Sequence, residues 1–256
     1  MRLGRLRPPA SPALLLLCGL LAAAAALPLL YLAVVVGGGG GDAFDAVWQP
    51  RTAALVARSA GLAAAVAATA VLIAVPLAWL TARTDLPGRR AWALVLSLPL
   101  VIPSYIGAYL FASALGPSGV VTEALGLPEL PEIRGAFGAW LVLTLFTYPL
   151  VMLPVRAALR RLDPSIEEAA RGMGRRPAEV FRTVVLPQLR PAIGAGAALV
   201  ALYVLSDFGA VSILRFDSFT RVIYQTYLTA FDRTGAAALA ALLVVVMLAV
   251  LAIDAA

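Results

Sequence analysis

Six apolar runs, separated by short polar or glycine-rich intervals, make up most of the chain, at about 13–36, 53–81, 91–115, 136–159, 191–214 and 235–253. An α-helix rises 1.5 Å per residue and needs about 20 apolar residues to cross about 30 Å of hydrocarbon. The pattern therefore predicts an all-α membrane protein with six transmembrane helices. Arg2, Arg5 and Arg7 precede the first run. A secretory signal is the alternative there, but a run of about 24 residues is longer than a usual signal core. The glycine run 37–41 reads as a flexible linker. Residues 83–90 form a charged turn, 116–135 a loop with Glu123, Glu129 and Glu132, and 215–233 a further loop. The organisation expected is an N-terminal segment, 1–52, with helix 1 and its linker, followed by a core, 53–256, with helices 2–6.

The interval 163–187 differs from the others, being both polar and helix-patterned. It carries Glu167, Glu168, Arg171, Arg175, Arg176, Glu179 and Arg182. A charge at a bilayer centre costs about 2.5–3.5 kcal/mol even on lenient scales, so this interval lies in water. Asp163 before Pro164 reads as an N-cap with proline at the first helical position. Ser165 with Glu168 is a competing capping box. The spacing predicts a helix over 164–173 ended by a left-handed Gly174. Pro177 then starts a second short helix, which Pro187 stops.

Composition narrows the chemistry. The chain is 62% hydrophobic and 13% charged, and all twenty basic residues are arginine, with no lysine or histidine. A Walker A loop needs its lysine, so this chain does not bind ATP in that way. Histidine-dependent triads, zinc motifs and Schiff-base lysines are excluded as well. Cys18, the single cysteine, reads as a buried bystander in an apolar run. The net charge of +6 is explained by arginines on one membrane side rather than by nucleic acid. With the N-terminus in the cytoplasm, fourteen arginines fall inside and five outside, with Arg58 within helix 2. Both termini and the 163–187 loop are then cytoplasmic. Trp48, Trp79, Trp92 and Trp140 fall near predicted span ends.

Within the spans, Asp207 in helix 5 and Arg58 in helix 2 lie at similar depth. Either they pair, or Arg58 snorkels outward, or Asp207 faces a permeation path. Pro99, Pro103, Ser104, Tyr105 and Tyr109 cluster in helix 3, as a packing kink or as a pathway-lining break.

Glu168-Ala169-Ala170, three residues, Gly174, nine residues and Val184-x-Leu186-Pro187 resemble the EAA loop of ABC-transporter permeases, with Val184 where the pattern has Ile. A second resemblance, to permeases of ferric-iron import systems, rests on 82–90, on 98–105 and on 206–211. That wider group also serves thiamine, polyamines and molybdate. The resemblance implies a permease without catalytic residues or cofactor of its own, in a bacterial inner membrane. ATP and Mg²⁺ would be bound by two ATPase subunits, docked through Glu168, Ala169, Ala170 and Gly174. An extracytoplasmic binding protein would deliver the substrate, and a second permease half, fused or as a homodimer, would complete the path. Of the two, a fused tandem of which this chain is the N-terminal half is the expectation. Ferric iron prefers oxygen ligands, and Ser104, Tyr105, Tyr109, Tyr203 and Asp207 offer them, with Tyr203 and Asp207 four apart on one helix face. The same oxygens suit a polyamine, and thiamine remains open. An intramembrane enzyme and an ATPase-independent channel or scaffold are the readings from other classes.

Overall fold

A computed structural model describes residues 11–115, 119–124, 126 and 133–255, and it is helical throughout its regular structure. Arg2, Arg5, Arg7, Glu129 and Glu132 lie outside the described residues. Helix α1 (Pro12–Gly38) starts where the Ser11 hydroxyl accepts the Leu14 amide. None of its residues is buried, and Cys18, expected buried, is exposed. A helix apolar on every side and mostly uncovered is suited to lipid contact. The glycine run is not a loose linker. The Gly39 amide donates to the carbonyls of Val35 and Val36, and a short helix, α2 (Gly40–Val47), follows directly.

The centre of the molecule is α3 (Pro50–Arg83). It buries Leu62, Val66, Ala70, Ala74 and Ala78 along one stripe. Small residues at this spacing let neighbouring helices approach closely. The neighbours are α8 (Pro149–Arg161) and α11 (Leu186–Ser206), which share with α3 the densest packing in the molecule. Val151, Met152, Val155, Leu159, Leu189 and Val200 are fully buried between them. Helix α7 (Gly135–Thr147) leads into α8, and the two form one long apolar helix over Gly135–Arg161.

The run expected as helix 3 is broken. Helix α4 (Arg89–Val95), a 3₁₀ turn (Leu98–Val101) and α5 (Ser104–Ala114) replace it, with a bend of 91°. Pro99 and Pro103 cannot donate to the preceding turn. Ile102, held before Pro103, is extended (φ −86°, ψ 121°), as a pre-proline residue prefers. Tyr148 steadies the break by donating from its hydroxyl to the Leu96 carbonyl at 2.7 Å. The short α6 (Val120–Ala124) follows.

Three further expectations are corrected. Pro187 does not stop a helix. After α9 (Pro164–Gly172) and α10 (Pro177–Val180), a π-helical turn (Phe181–Val185) leads straight into α11. Pro187 has no amide to donate and its ring would strike the Thr183 carbonyl, so the wider turn absorbs both defects. Helix 5 then ends at Ser206, not near 214, and restarts as α12 (Gly209–Ile213). The loop expected over 215–233 contains α13 (Phe219–Leu228), capped by the Ser218 hydroxyl. Helix α14 (Arg233–Ala255) closes the chain of elements. Among the described residues, five helices are long and apolar enough to cross a membrane, or six if the bent pair is one span.

Candidate functional site

Two groups of residues at opposite ends of α11, about 30 Å apart for a 21-residue helix, hold the polar positions singled out in the sequence. The first is the segment built on α9 and α10. Asp163 is the cap, its Oδ1 accepting the Ser165 amide at 2.9 Å, and no Ser165–Glu168 capping box is needed. That hydrogen bond holds the Asp163 carboxyl below its ordinary value of 3.8. Helix α9 ends as expected. Gly174 has φ +82° and donates its amide to the Arg171 carbonyl at 2.9 Å. A left-handed residue there turns the chain toward α10 without a Cβ clash.

Ala170 is buried beneath α9, whereas Glu168 and Ala169 face outward. Beside them Ile166 is 48% and Met173 72% exposed. Ile166, Ala169 and Met173 are spaced i, i+3, i+7, one apolar stripe along a helix. Glu168, elsewhere on the helix surface, and Arg176, beyond the Gly174 turn, are exposed as well. The stripe was missed in the sequence because the interval is so highly charged, although its spacing is legible there. Also missed was the pair that anchors α9. Arg83, at the last turn of α3, donates through Nη2 to the Leu162 carbonyl at 2.8 Å and lies 3.4 Å from Glu167 Oε1. Both side chains are about 85% covered (16% and 14% exposed). Trp79 meets the edge of Phe181 at 6.1 Å, a second tie between α3 and the segment.

The second group surrounds Asp207. Asp207 lies in the break between α11 and α12, not inside a helix, and so does not share a helix face with Tyr203. Its Oδ1 accepts the amides of Ala210 and Val211 at 3.0 and 3.2 Å. Its Oδ2 accepts the Ser104 hydroxyl, and its carbonyl accepts the Thr220 hydroxyl at 2.6 Å. The residue is buried, and its carboxylate caps α12 while clamping the start of α5. Gly209 permits this clamp, since a Cβ there would lie 2.7 Å from Tyr105 Cβ. Arg58 is not its partner. Arg58 donates to the Ala54 carbonyl and lies 4.0 Å from Asp217.

The five expected oxygens differ in their surroundings. Ser104 and Asp207 are joined, Tyr105 and Tyr109 are exposed on α5, and Tyr203 is half-buried on α11. Among the described residues no cluster of three acidic, histidine or cysteine side chains exists. Trp140, five residues from the start of the span Gly135–Arg161, donates from its indole to Thr69 at 2.9 Å.

A family described as "Binding-protein-dependent transport system inner membrane component" matches residues 74–256. The Fe(3+)-transport system permease protein FbpB 2 of Haemophilus influenzae is 33% identical over 200 residues, 78% of this chain and 37% of that protein. The molybdenum transport system permease protein ModB of Escherichia coli K12 is 32% identical over 194 residues, 72% of this chain and 83% of ModB. The sulfate transport system permease protein CysT of Salmonella typhimurium is 29% identical over 180 residues, 68% of this chain and 65% of CysT. The chain thus spans little more than a third of FbpB 2. Among solved structures, a bacterial alginate ABC transporter in complex with its alginate pentasaccharide-bound periplasmic protein has a chain that superposes with a TM-score of 0.71. The identity is 18%, over 94% of this chain and 92% of that one. The inward-facing MetNI methionine ABC transporter gives 0.62 at 18%, over 80% and 95%. At such identities the likeness is one of fold.

Proposed function

We propose, because this chain belongs to the family of binding-protein-dependent transport system inner membrane components and is an ABC-transporter permease, that it docks an ATPase subunit through the exposed face of α9. The observation that carries this is the stripe Ile166, Ala169 and Met173, uncovered on a helix anchored to α3 through Arg83 and Glu167. An apolar stripe in water favours a partner's groove. Glu168 supplies an ionic contact at the rim, and the small Ala169 lets the helix sit deep. Gly174 sets the angle at which α10 leaves.

In this reading ATP and Mg²⁺ belong to two partner ATPases, since the chain has no lysine for a Walker A loop. ATPase closure pushes α9, and the Arg83 tie carries the push into α3 at the centre of the bundle. The 163–187 segment faces the cytoplasm, as the arginine distribution favours. An extracytoplasmic binding protein delivers substrate at the opposite face, and a second bundle of the same kind completes the path.

The substrate proposed is ferric iron, supported by the likeness to FbpB 2. Asp207 is spent on capping α12, so iron would pass without Asp207 as a ligand. An oxyanion is the second reading, favoured by the match to most of ModB. ATP-dependent uptake into vesicles with the cognate binding protein tests both. Accumulation of labelled Fe(III) supports the first. Accumulation of molybdate or sulfate instead moves the assignment to the second, and uptake of thiamine or putrescine alone removes both.

A further inference from the structure

Two cavities adjoin at the first turns of α3, at the end of the molecule away from α9. The first, about 530 Å³, is lined by Arg51, Arg58, Gln225 and Thr226, with Asp217 and Asp232 in its wall. The second, about 490 Å³, is lined mainly by apolar groups, among them Val47, Trp48, Val56 and Leu242. Gln49 and Thr52 line both, so the two lie side by side across these residues.

The polar cavity holds two arginines and two aspartates, and both aspartates have partners other than Arg51. Asp217 is held by Arg221 at 2.8 Å, and Asp232 Oδ1 accepts the Gly235 amide at 2.8 Å. Arg58 reaches Asp217 only at 4.0 Å, and among the described residues Arg51 makes no ion pair. Arg51 and Arg58 are seven apart, so two turns of one helix present both guanidiniums to the same space. Guanidinium groups bind oxyanions through paired charge-assisted hydrogen bonds. Trp48, 74% exposed, stands at the mouth of the apolar cavity, and such a ring prefers the membrane–water boundary.

We propose that the double cavity binds an anionic phospholipid, its phosphate on Arg51 and Arg58 and its chain along Trp48, Val56 and Leu242. A free oxyanion fills only the polar half and a neutral amphiphile only the apolar half. A lipid with a net negative headgroup uses both. The proposal needs a chain in a bilayer and stands apart from the assignment of substrate or ATPase.

The test is native mass spectrometry of the full delipidated chain in neutral detergent. It is titrated with phosphatidylglycerol, with phosphatidylcholine and with inorganic phosphate. Phosphatidylglycerol is expected to be retained about tenfold more tightly than phosphatidylcholine, the worth of one to two charge-assisted contacts. The double variant Arg51→Gln, Arg58→Gln loses that preference, and Arg90→Gln, on α4 beyond the other end of α3, keeps it. Ala53→Trp, which fills the apolar cavity, weakens phosphatidylglycerol binding. Circular dichroism of each variant establishes that the fold persists. Equal retention of the two lipids, an undiminished preference in the double variant, or the same loss in Arg90→Gln would overturn the proposal. So would displacement of phosphatidylglycerol by an equal concentration of phosphate, which marks a site for free oxyanions.

Discussion

Asp207 is where a single side chain decides most. One carboxylate accepts two amides of α12 and the hydroxyl of Ser104, so it joins three elements. Asp207→Ala leaves two buried amides without a partner, and the expected loss is about 2–3 kcal/mol. Asn keeps an acceptor for the amides and a donor for Ser104. Asp207→Asn is therefore expected to retain most of the stability and all of the transport. Thermal unfolding in detergent, compared across the three proteins, checks this. A transport defect in a fully stable Asp207→Asn would return the residue to the substrate path.

Gly174 is the other decisive position. At φ +82° a β-branched residue is strained, and Gly174→Val is expected to cost about 1–2 kcal/mol at the turn. The chain should still insert, while transport per ATP hydrolysed falls. Normal coupling in proteoliposomes containing this variant would contradict the role given to the turn. Asp163 adds a pH dependence. Its folded carboxyl titrates below the ordinary value of 3.8, so its capping contribution is present above that value. It is lost as pH falls through the lower, folded one. Amide protection in α9 should drop in that acid range in the wild type. It should not do so in Asp163→Asn, which caps without titrating; equal drops would refute the cap as the cause.

At the scale of elements, α9 is tied to α3 by Arg83 and Glu167. Removing Arg83 leaves the largely covered Glu167 with only Arg171 at 4.0 Å, and removing Glu167 leaves Arg83 with only the Leu162 carbonyl, at an expected cost of about 1–3 kcal/mol. Arg83→Glu and Glu167→Arg should each loosen α9, and the double exchange should restore part of its amide protection. Independent, additive losses would show that the pair carries no coupling. The legibility of the elements follows the same physics. The spans α3, α7 with α8, and α14 were visible because long apolar runs dominate them. So was the α9 cap pair, Asp163 and Gly174, because local backbone chemistry alone fixes it. The 91° break at Pro99–Pro103 was visible as two prolines but not as a bend. Its direction is set by Tyr148 holding Leu96 and by Ser104 meeting Asp207, contacts far apart in sequence. Pro187 misled because a proline near a helix start is read as a stop unless a π turn absorbs it. The Arg83–Glu167 tie joins residues 84 apart, and no local pattern reports it.

At the scale of the whole molecule, a core of α3, α8 and α11 links two functional ends through one packed unit. The central claim is that the exposed face of α9 docks an ATPase. Its most direct measurement is co-purification of the full chain with a co-expressed ATPase subunit of the same transporter family, for wild type and for Ile166→Asp with Met173→Asp. Both positions are exposed, at 48% and 72%, so the substitutions leave the bundle core untouched. Replacing two apolar side chains that the ATPase would cover by charges is expected to weaken the complex at least about a hundredfold. Stable association of the wild type, lost in the double variant while the bundle remains folded, is the result predicted. Undiminished association in that variant, or none in the wild type, would contradict it.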